Sequence, residues 1–186
     1  TTETIFLAVF GYFFLKEKIN LITFISIVLG MSGVLLILGS SLSIQTPDKF
    51  LGNLVAFIMP VSFAVLVIIV RKYPKVDMVP AQFTAGILAA FIGMIVAGKL
   101  SISFHDLTLA FLAGFFQIGF GFILITIGSR TTPAAVVGIL MLTEAVFGPL
   151  WAWLFINEIP PTIVILGGSI IIFAILFEFF LSPKKN

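Results

Sequence analysis

Residues 143–163 read "TEAVFGPLWAWLFINEIPPTI", and residues 2–22 read "TETIFLAVFGYFFLKEKINLI". The two stretches align without a gap at an interval of 141 residues. Thr2, Glu3, Phe6, Phe14, Glu17 and Ile22 meet Thr143, Glu144, Phe147, Phe155, Glu158 and Ile163, and Tyr12 meets Trp153. Each stretch carries one glutamate inside an apolar run and a second one 14 residues later. Chance does not readily place two carboxylates at the same interval with the same Thr and Phe neighbours. The chain is therefore read as containing an internal repeat.

Composition identifies the solvent. Of 186 residues, 60% are hydrophobic and only 10% charged, against roughly 45–50% apolar in ordinary soluble domains. A soluble domain of this size still exposes roughly 30% of its unfolded surface, and so much apolar surface has nowhere to hide in water. The expected environment is a lipid bilayer. A net charge of +2 is too small and too scattered to argue for nucleic acid. With no cysteine and a single histidine, His105, thiolate sites are excluded and no metal site or cofactor is expected.

A spanning helix needs about 20 mainly apolar residues. Apolar runs between turn-rich, charged breaks predict seven transmembrane helices, over 1–15, 21–39, 51–70, 79–98, 107–128, 133–156 and 162–181. Asp106 and Thr132-Pro133 read as an N-cap and as an N-cap with N1 proline. The seven spans put Lys16, Lys18, Arg71, Lys72, Lys75, Arg130, Lys184 and Lys185 on one side, and only Lys49 and Lys99 on the other. By the positive-inside rule the first side is cytoplasmic, and so is the C-terminus.

The two repeated helices lie an odd number of spans apart and cross the membrane in opposite directions. That is an inverted-topology repeat, used by many secondary transporters to build alternating access around a midplane site. The expected fold is an all-α integral membrane protein whose last five helices form one complete repeat of an inverted 5+5 architecture. Residues 51–181 form that repeat, residues 1–39 the last two helices of a preceding one, and residues 182–186 a cytoplasmic tail. The chain begins at Thr1, already inside an apolar run and without a basic leader. About three helices and half of the first are expected to precede it.

The doubled pattern of an intramembrane Glu, a downstream Phe, an aromatic and a terminal Glu, followed by a small-residue-rich last helix, resembles the EamA-like branch of the drug/metabolite transporter superfamily. So does "LGNLVAFIMPVSFAVLVIIVRK" at residues 51–72, which is similar to that family's opening helix of the second repeat. The resemblance implies ten helices in two inverted halves, both termini cytoplasmic, in a plasma (inner) membrane. It also implies transport, most often export, of a small metabolite, amino acid or drug-like compound. In two places the sequence departs from the pattern. Thr4 and Ala145 stand where the family often has Pro, and Leu15-Lys16-Glu17 and Ile156-Asn157-Glu158 replace Leu-Gly-Glu.

An ionised carboxylate at mid-bilayer costs roughly 2.5–3.5 kcal/mol on insertion scales, so Glu144 needs a reason. At 100° per residue it shares a face with Val137, Met141, Gly148 and Trp151. Thr143 precedes it, and Pro149 weakens the helix one turn beyond. One reading is a proton-coupling or cation-binding carboxylate in a cavity walled by Trp151, with Glu3 as its counterpart. The other is a protonated side chain that hydrogen-bonds a neighbouring helix and specifies packing. Gln117 lies near mid-span on a face lined by Gly114, Gly121 and Gly128, where another backbone could approach. Pro60 and Ser62 fall near the centre of their predicted helix, where the proline would free the carbonyl of Ala56. Gln82 and Asn53 read as interfacial. Glu17 and Glu158 are read as helix-end residues that tie the turn into the next helix, and Glu178 as reaching the interface near Lys184 and Lys185.

The expected partners are the lipid bilayer, a small-molecule substrate, a coupling proton and the preceding helices of the same protein, with no nucleic acid. An intramembrane enzyme is disfavoured, because no convergent nucleophile–base or metal set exists. Two other readings stay open: a non-transporting membrane protein or partner subunit, and a flippase for lipid-linked substrates.

Overall fold

The computed structural model describes residues 2–39, 55, 57–98 and 102–182. Among these there are helices and no strands. In chain order they are α1 (Glu3–Leu15), α2 (Leu21–Gly39), α3 (Ile58–Lys72), α4 (Val79–Val96), α5 (Phe104–Leu112), a π-helical stretch (Ala113–Phe120), α6 (Gly121–Ser129), α7 (Ala134–Met141), α8 (Thr143–Ile156) and α9 (Thr162–Leu181). Five continuous helical segments are long and apolar enough to cross a membrane: Leu21–Gly39, Val79–Val96, Phe104–Ser129, Ala134–Ile156 and Thr162–Leu181. Two of the seven expected spans are shorter. The described part of α1 has 13 residues and that of α3 has 15, so at 1.5 Å per residue neither covers a hydrocarbon core of about 30 Å.

The chain divides into two compact units, Thr1–Ile69 with Thr132–Asn186, and Val70–Thr131. In the first, α2 and α9 pack antiparallel. Asn20 Nδ2 donates to Ser182 Oγ (3.1 Å) and Thr23 Oγ1 donates to Glu178 Oε1 (2.8 Å) at one end, and Gly33 lies against Gly167 towards the other. There the backbones nearly touch. A Cβ at Gly33 would sit 2.6 Å from the carbonyl oxygen of Gly167, and one at Gly167 would sit 2.6 Å from that of Gly33. Small residues allow this approach, which is how helices gain packing energy where lipid is as apolar as they are. Glu178 departs from its expected place. It is 4% exposed and held between α2 and α9 by Thr23, because the start of α2 packs against the last turns of α9. Lys184 and Lys185 lie outside the described residues.

The second antiparallel pair is α1 with α7. Thr4 Oγ1 donates to the carbonyl of Gly138 (2.8 Å), and Gly11 lies against Ala134. Helix α3 closes the same core: Leu7, Ala64, Val67, Ile68, Ala134 and Val137 form one buried cluster. A second cluster joins Val34, Leu142 and Ile171.

In the other unit, Gln82 donates to Thr126, whose hydroxyl donates to the carbonyl of Phe122 (2.8 Å), tying α4 to α6. Gln82, expected at the interface, makes this interhelical bond near the start of α4, and Asn53 lies outside the described residues. Arg130 pairs with Asp77 at 2.8 Å, and its carbonyl accepts from Arg71 (2.9 Å).

Both expected helix starts shift. The N-cap of α5 is Ser103, which accepts from the amide of Asp106 (3.1 Å) while donating to Asp106 Oδ2 (2.7 Å). Asp106 thus sits at N3, exchanging bonds with the Ser103 hydroxyl through its amide and its carboxylate. Pro133 is itself the N-cap of α7, since its extended ψ places it outside the helix.

The α2–α9 crossing yields a prediction. Gly33→Ala or Gly167→Ala forces two backbones apart and is expected to lower stability by about 1–3 kcal/mol, the usual penalty for overpacking. Gly86→Ala, where a Cβ meets nothing within 4 Å, is expected to be neutral or stabilising in the same unfolding titration.

Candidate functional site

The span from Ala134 to Ile156 is helical throughout, and Leu142, between α7 and α8, stays in the right-handed region at φ −62° and ψ −17°. What changes at Leu142 is the hydrogen-bond spacing. Here the amide of Leu142 bonds back to Ile139 (3.2 Å) and that of Ala145 to Leu142 (3.1 Å), three residues rather than four, so the turn tightens. Thr143 Oγ1 donates to the carbonyl of Leu140 (2.7 Å), which also accepts a backbone amide at the same turn. Leu142 is fully buried, with its side chain against Gly30 of α2. That anchor directly precedes Thr143 and Glu144, the first residues of α8.

Glu144 thus stands directly after the tightened turn, in the first turn of α8. It is exposed, as are Gly148 and Trp151, while Met141 is half-buried and Val137 is buried in the α1–α3–α7 cluster. Trp151 is stacked between Phe147 and Phe155, at 6.4 Å and 5.6 Å. The face predicted for Glu144 is therefore divided: its α7 end is packed, and its α8 end is open. A cavity of about 290 Å³ lies between α8 and α9, lined by Val146, Pro149, Trp153, Gly168 and Ser169 among others. Trp153 forms its wall, and neither Glu144 nor Trp151 enters it.

Glu3 opens α1 and is half-buried. Its neighbour Thr4 reaches Gly138, one turn before Leu142, so the start of α1 packs against the α7 half of the span. Met141, Thr143 and Glu144 are chain neighbours around Leu142, and Glu3 adjoins Thr4, whose hydroxyl donates to Gly138 of α7.

The remaining candidates lie apart. Pro60 is the third residue of α3, not mid-helix, and in a first turn its missing N–H strands no partner. The carbonyl expected to be freed, that of Ala56, lies outside the described residues. Ser62 is exposed. Gln117 lies inside the π-helical stretch Ala113–Phe120 and is exposed. A π-helical stretch of eight residues is unusually long and is a frequent mark of functional positions. The seven-residue glycine spacing gave no hint of it. No backbone of its own unit approaches Gly114, Gly121 or Gly128 within 4 Å of a built Cβ, so the close packing expected there is not seen within that unit. Among the described residues no cluster of His, Asp and Glu could hold a metal ion.

Glu17 reaches further than its own turn. Its Oε2 accepts from the amide of Ala134 at 2.8 Å, across 117 residues. Pro133, as N-cap, has no side chain that can do this, so a carboxylate from α1 supplies the cap of α7. Glu17→Ala is expected to cost about 0.5–2 kcal/mol, the usual loss for an N-cap. Glu17→Gln keeps an acceptor and is expected to recover at least half of it, both read from thermal unfolding in detergent.

The comparisons with known proteins fit this architecture. Residues 50–180 match the model of the EamA-like transporter family. An "uncharacterized transporter" of Clostridium kluyveri is 24% identical over 195 residues, in an alignment that covers 100% of this chain and 63% of that protein. The chain thus spans under two thirds of the relative's length. No solved structure matches the chain. The family is one of membrane transporters rather than enzymes. With the matched segment covering more than half of its length and its helices apolar enough to span, the chain belongs to the EamA-like transporter family.

Proposed function

We propose that this chain is the C-terminal part of a secondary-active transporter of ten helices in two inverted halves, moving a small metabolite, amino acid or drug-like compound by alternating access. Export is the favoured direction. The seat is a plasma (inner) membrane with the C-terminus cytoplasmic, as the distribution of lysine and arginine supports. The observation that carries the reading is the tightened turn at Leu142, where the hydrogen-bond spacing of the span changes immediately before Glu144. Backbone that departs from the regular helix inside a membrane is tolerated only against protein or a water-filled path, and transporters place substrate and ion sites at irregular stretches of their helices.

The inverted arrangement has support beyond the aligned letters. Lys16 and Asn157 are the non-glycine residues with left-handed backbone, at φ 55° and 57°, and they stand 141 residues apart. After each, the amide of the following glutamate bonds back to the carbonyl six residues earlier: Glu17 to Gly11 (3.1 Å) and Glu158 to Ala152 (3.4 Å). These are equivalent helix ends closed by a left-handed residue. The antiparallel pairs α1–α7 and α2–α9 are what two oppositely oriented halves would produce.

In this mechanism Glu144, with Thr143 beside it, holds the coupling proton or a cationic group of the substrate, and Glu3 answers it from the other half. Gln117, Trp151, Met141, Pro60 and Ser62 complete the pathway. No other carboxylate lies in the described part of α7 or α8, so the coupling step rests on one group. In the whole transporter, Glu144→Gln is expected to cut transport at least about tenfold and flatten its pH dependence, as loss of a positioned proton-transfer group does. Unchanged transport with an unchanged pH profile would remove Glu144 from the pathway and leave it a packing role.

A further inference from the structure

Glu178 has no part in the pathway above, yet among the described residues it is the one buried carboxylate, 4% exposed. Thr23 Oγ1 donates to its Oε1 at 2.8 Å, while Oε2 has no partner. A second orphan lies on the facing helix. Ser26 of α2 is fully buried, and its hydroxyl is also without a partner. Register brings the two together. A Cβ at Gly30 would lie 3.8 Å from that of Ala174. Ser26 stands four residues before Gly30, and Glu178 four residues after Ala174. In two antiparallel helices these steps are one turn in the same direction, so Ser26 faces Glu178, with Thr23 on the next turn. Buried polar groups normally find partners, and a buried carboxylate is normally paired with a cation or coordinates a metal. Here no side chain supplies the positive charge. Helices α2, α7, α8 and α9 carry no lysine, arginine or histidine, and their one other ionisable side chain is Glu144, exposed in the first turn of α8. Lys18, the basic residue nearest to Thr23 in the chain, is exposed.

We infer that Glu178, Thr23 and Ser26 form a binding site for a sodium ion. Donor type fixes the class: a carboxylate and two hydroxyls are hard oxygen ligands, which suit alkali and alkaline-earth cations rather than metals that seek nitrogen or sulfur. Charge fixes the valence. One carboxylate balances one positive charge, and a divalent ion would leave a net charge buried between apolar helices. Space favours a small ion, because the same two helices close to backbone contact at Gly33 and Gly167. Bound there, sodium ties the start of α2 to the end of α9 and gives both orphan oxygens a partner. These contacts lie wholly between α2 and α9, so the site needs neither the inverted repeat nor the pathway at Glu144. On the repeat reading, the 141-residue interval carries Ser26 to Gly167 and Ile37 to Glu178. Ile37 lies against Gly167, 2.7 Å from a built Cβ. An apolar pair is then enough for packing at the opposite end of the crossing, and the polar set at this end answers another need.

The test measures sodium directly. The whole protein, purified in detergent, is titrated with sodium chloride against choline chloride at constant ionic strength. Binding of radioactive sodium and thermal unfolding are the two readouts. A single saturable site is expected, with the melting temperature raised by at least about 5 °C at about a hundredfold excess over the dissociation constant. Glu178→Gln keeps the size and an acceptor for Thr23, and is expected to abolish both effects. Ser26→Ala leaves the carboxylate in place and is expected to weaken binding at least about tenfold, as loss of a group that supports a metal ligand does. If the unaltered protein binds no sodium, the site is wrong and Glu178 is a hydrogen-bonding residue of the helix interface. Sodium binding that survives both substitutions places the ion elsewhere and overturns the site as well. Neither result touches the transport reading, which stands or falls by transport in the whole protein and its dependence on Glu144.

Discussion

Inside a bilayer a backbone amide or carbonyl that loses its helical partner has no water to turn to, and the cost of leaving it unpaired is several kcal/mol. This constraint organises the unit formed by α1, α2, α7, α8 and α9. Side chains supply the backbone in several places. Glu17 supplies the amide of Ala134 at the start of α7, Thr4 supplies a second donor to the carbonyl of Gly138, and Thr143 supplies a further donor to the carbonyl of Leu140 at the tightened turn. The left-handed turns at Lys16 and Asn157 let the chain close its own helix ends by backbone bonds. Polar residues in these apolar helices are thus concentrated where the backbone changes direction.

The tightened turn at Leu142 shows how packing holds such a local event in place. Leu142 is buried against Gly30, and its cluster includes Val34 of α2 and Ile171 of α9. A residue anchored so firmly fixes the position of its two successors in the chain, Thr143 and Glu144. The same two helices, α2 and α9, are locked by contact of backbones at Gly33 and Gly167. The anchor of the tightened turn and the tightest helix crossing therefore share one scaffold. A carboxylate placed just after a tightened turn on a rigid support is positioned by the support rather than by its own flexible side chain.

Much of this was legible in the residues. Composition and the length of apolar runs implied helices in a membrane. The pairing of Glu3 with Glu144 and of Glu17 with Glu158 picks out the two equivalent turns by spacing alone. Gly33 and Gly167 are invisible by comparison, because glycine is common in apolar helices and only the partner's position gives one a meaning. The π-helical stretch around Gln117 was equally hidden: it is a change in hydrogen-bond spacing with no residue type of its own. Glu178 was misplaced for a related reason. Its distance from the helix end suggested water, but whether a helix end meets water depends on what packs there, and Thr23 of α2 does.

By itself, then, the sequence determined the apolar solvent and the helical class, and it displayed the equal spacing of Glu3 and Glu17 with Glu144 and Glu158, because hydrophobicity, length and spacing are properties of the chain alone. Tertiary structure alone decided which carboxylate caps which helix, where the span tightens before Glu144 and which glycines let helices meet. Those outcomes depend on atoms more than a hundred residues apart coming within 3 Å, as Glu17 and Ala134 do. No local pattern encodes which distant amide will be left needing a partner.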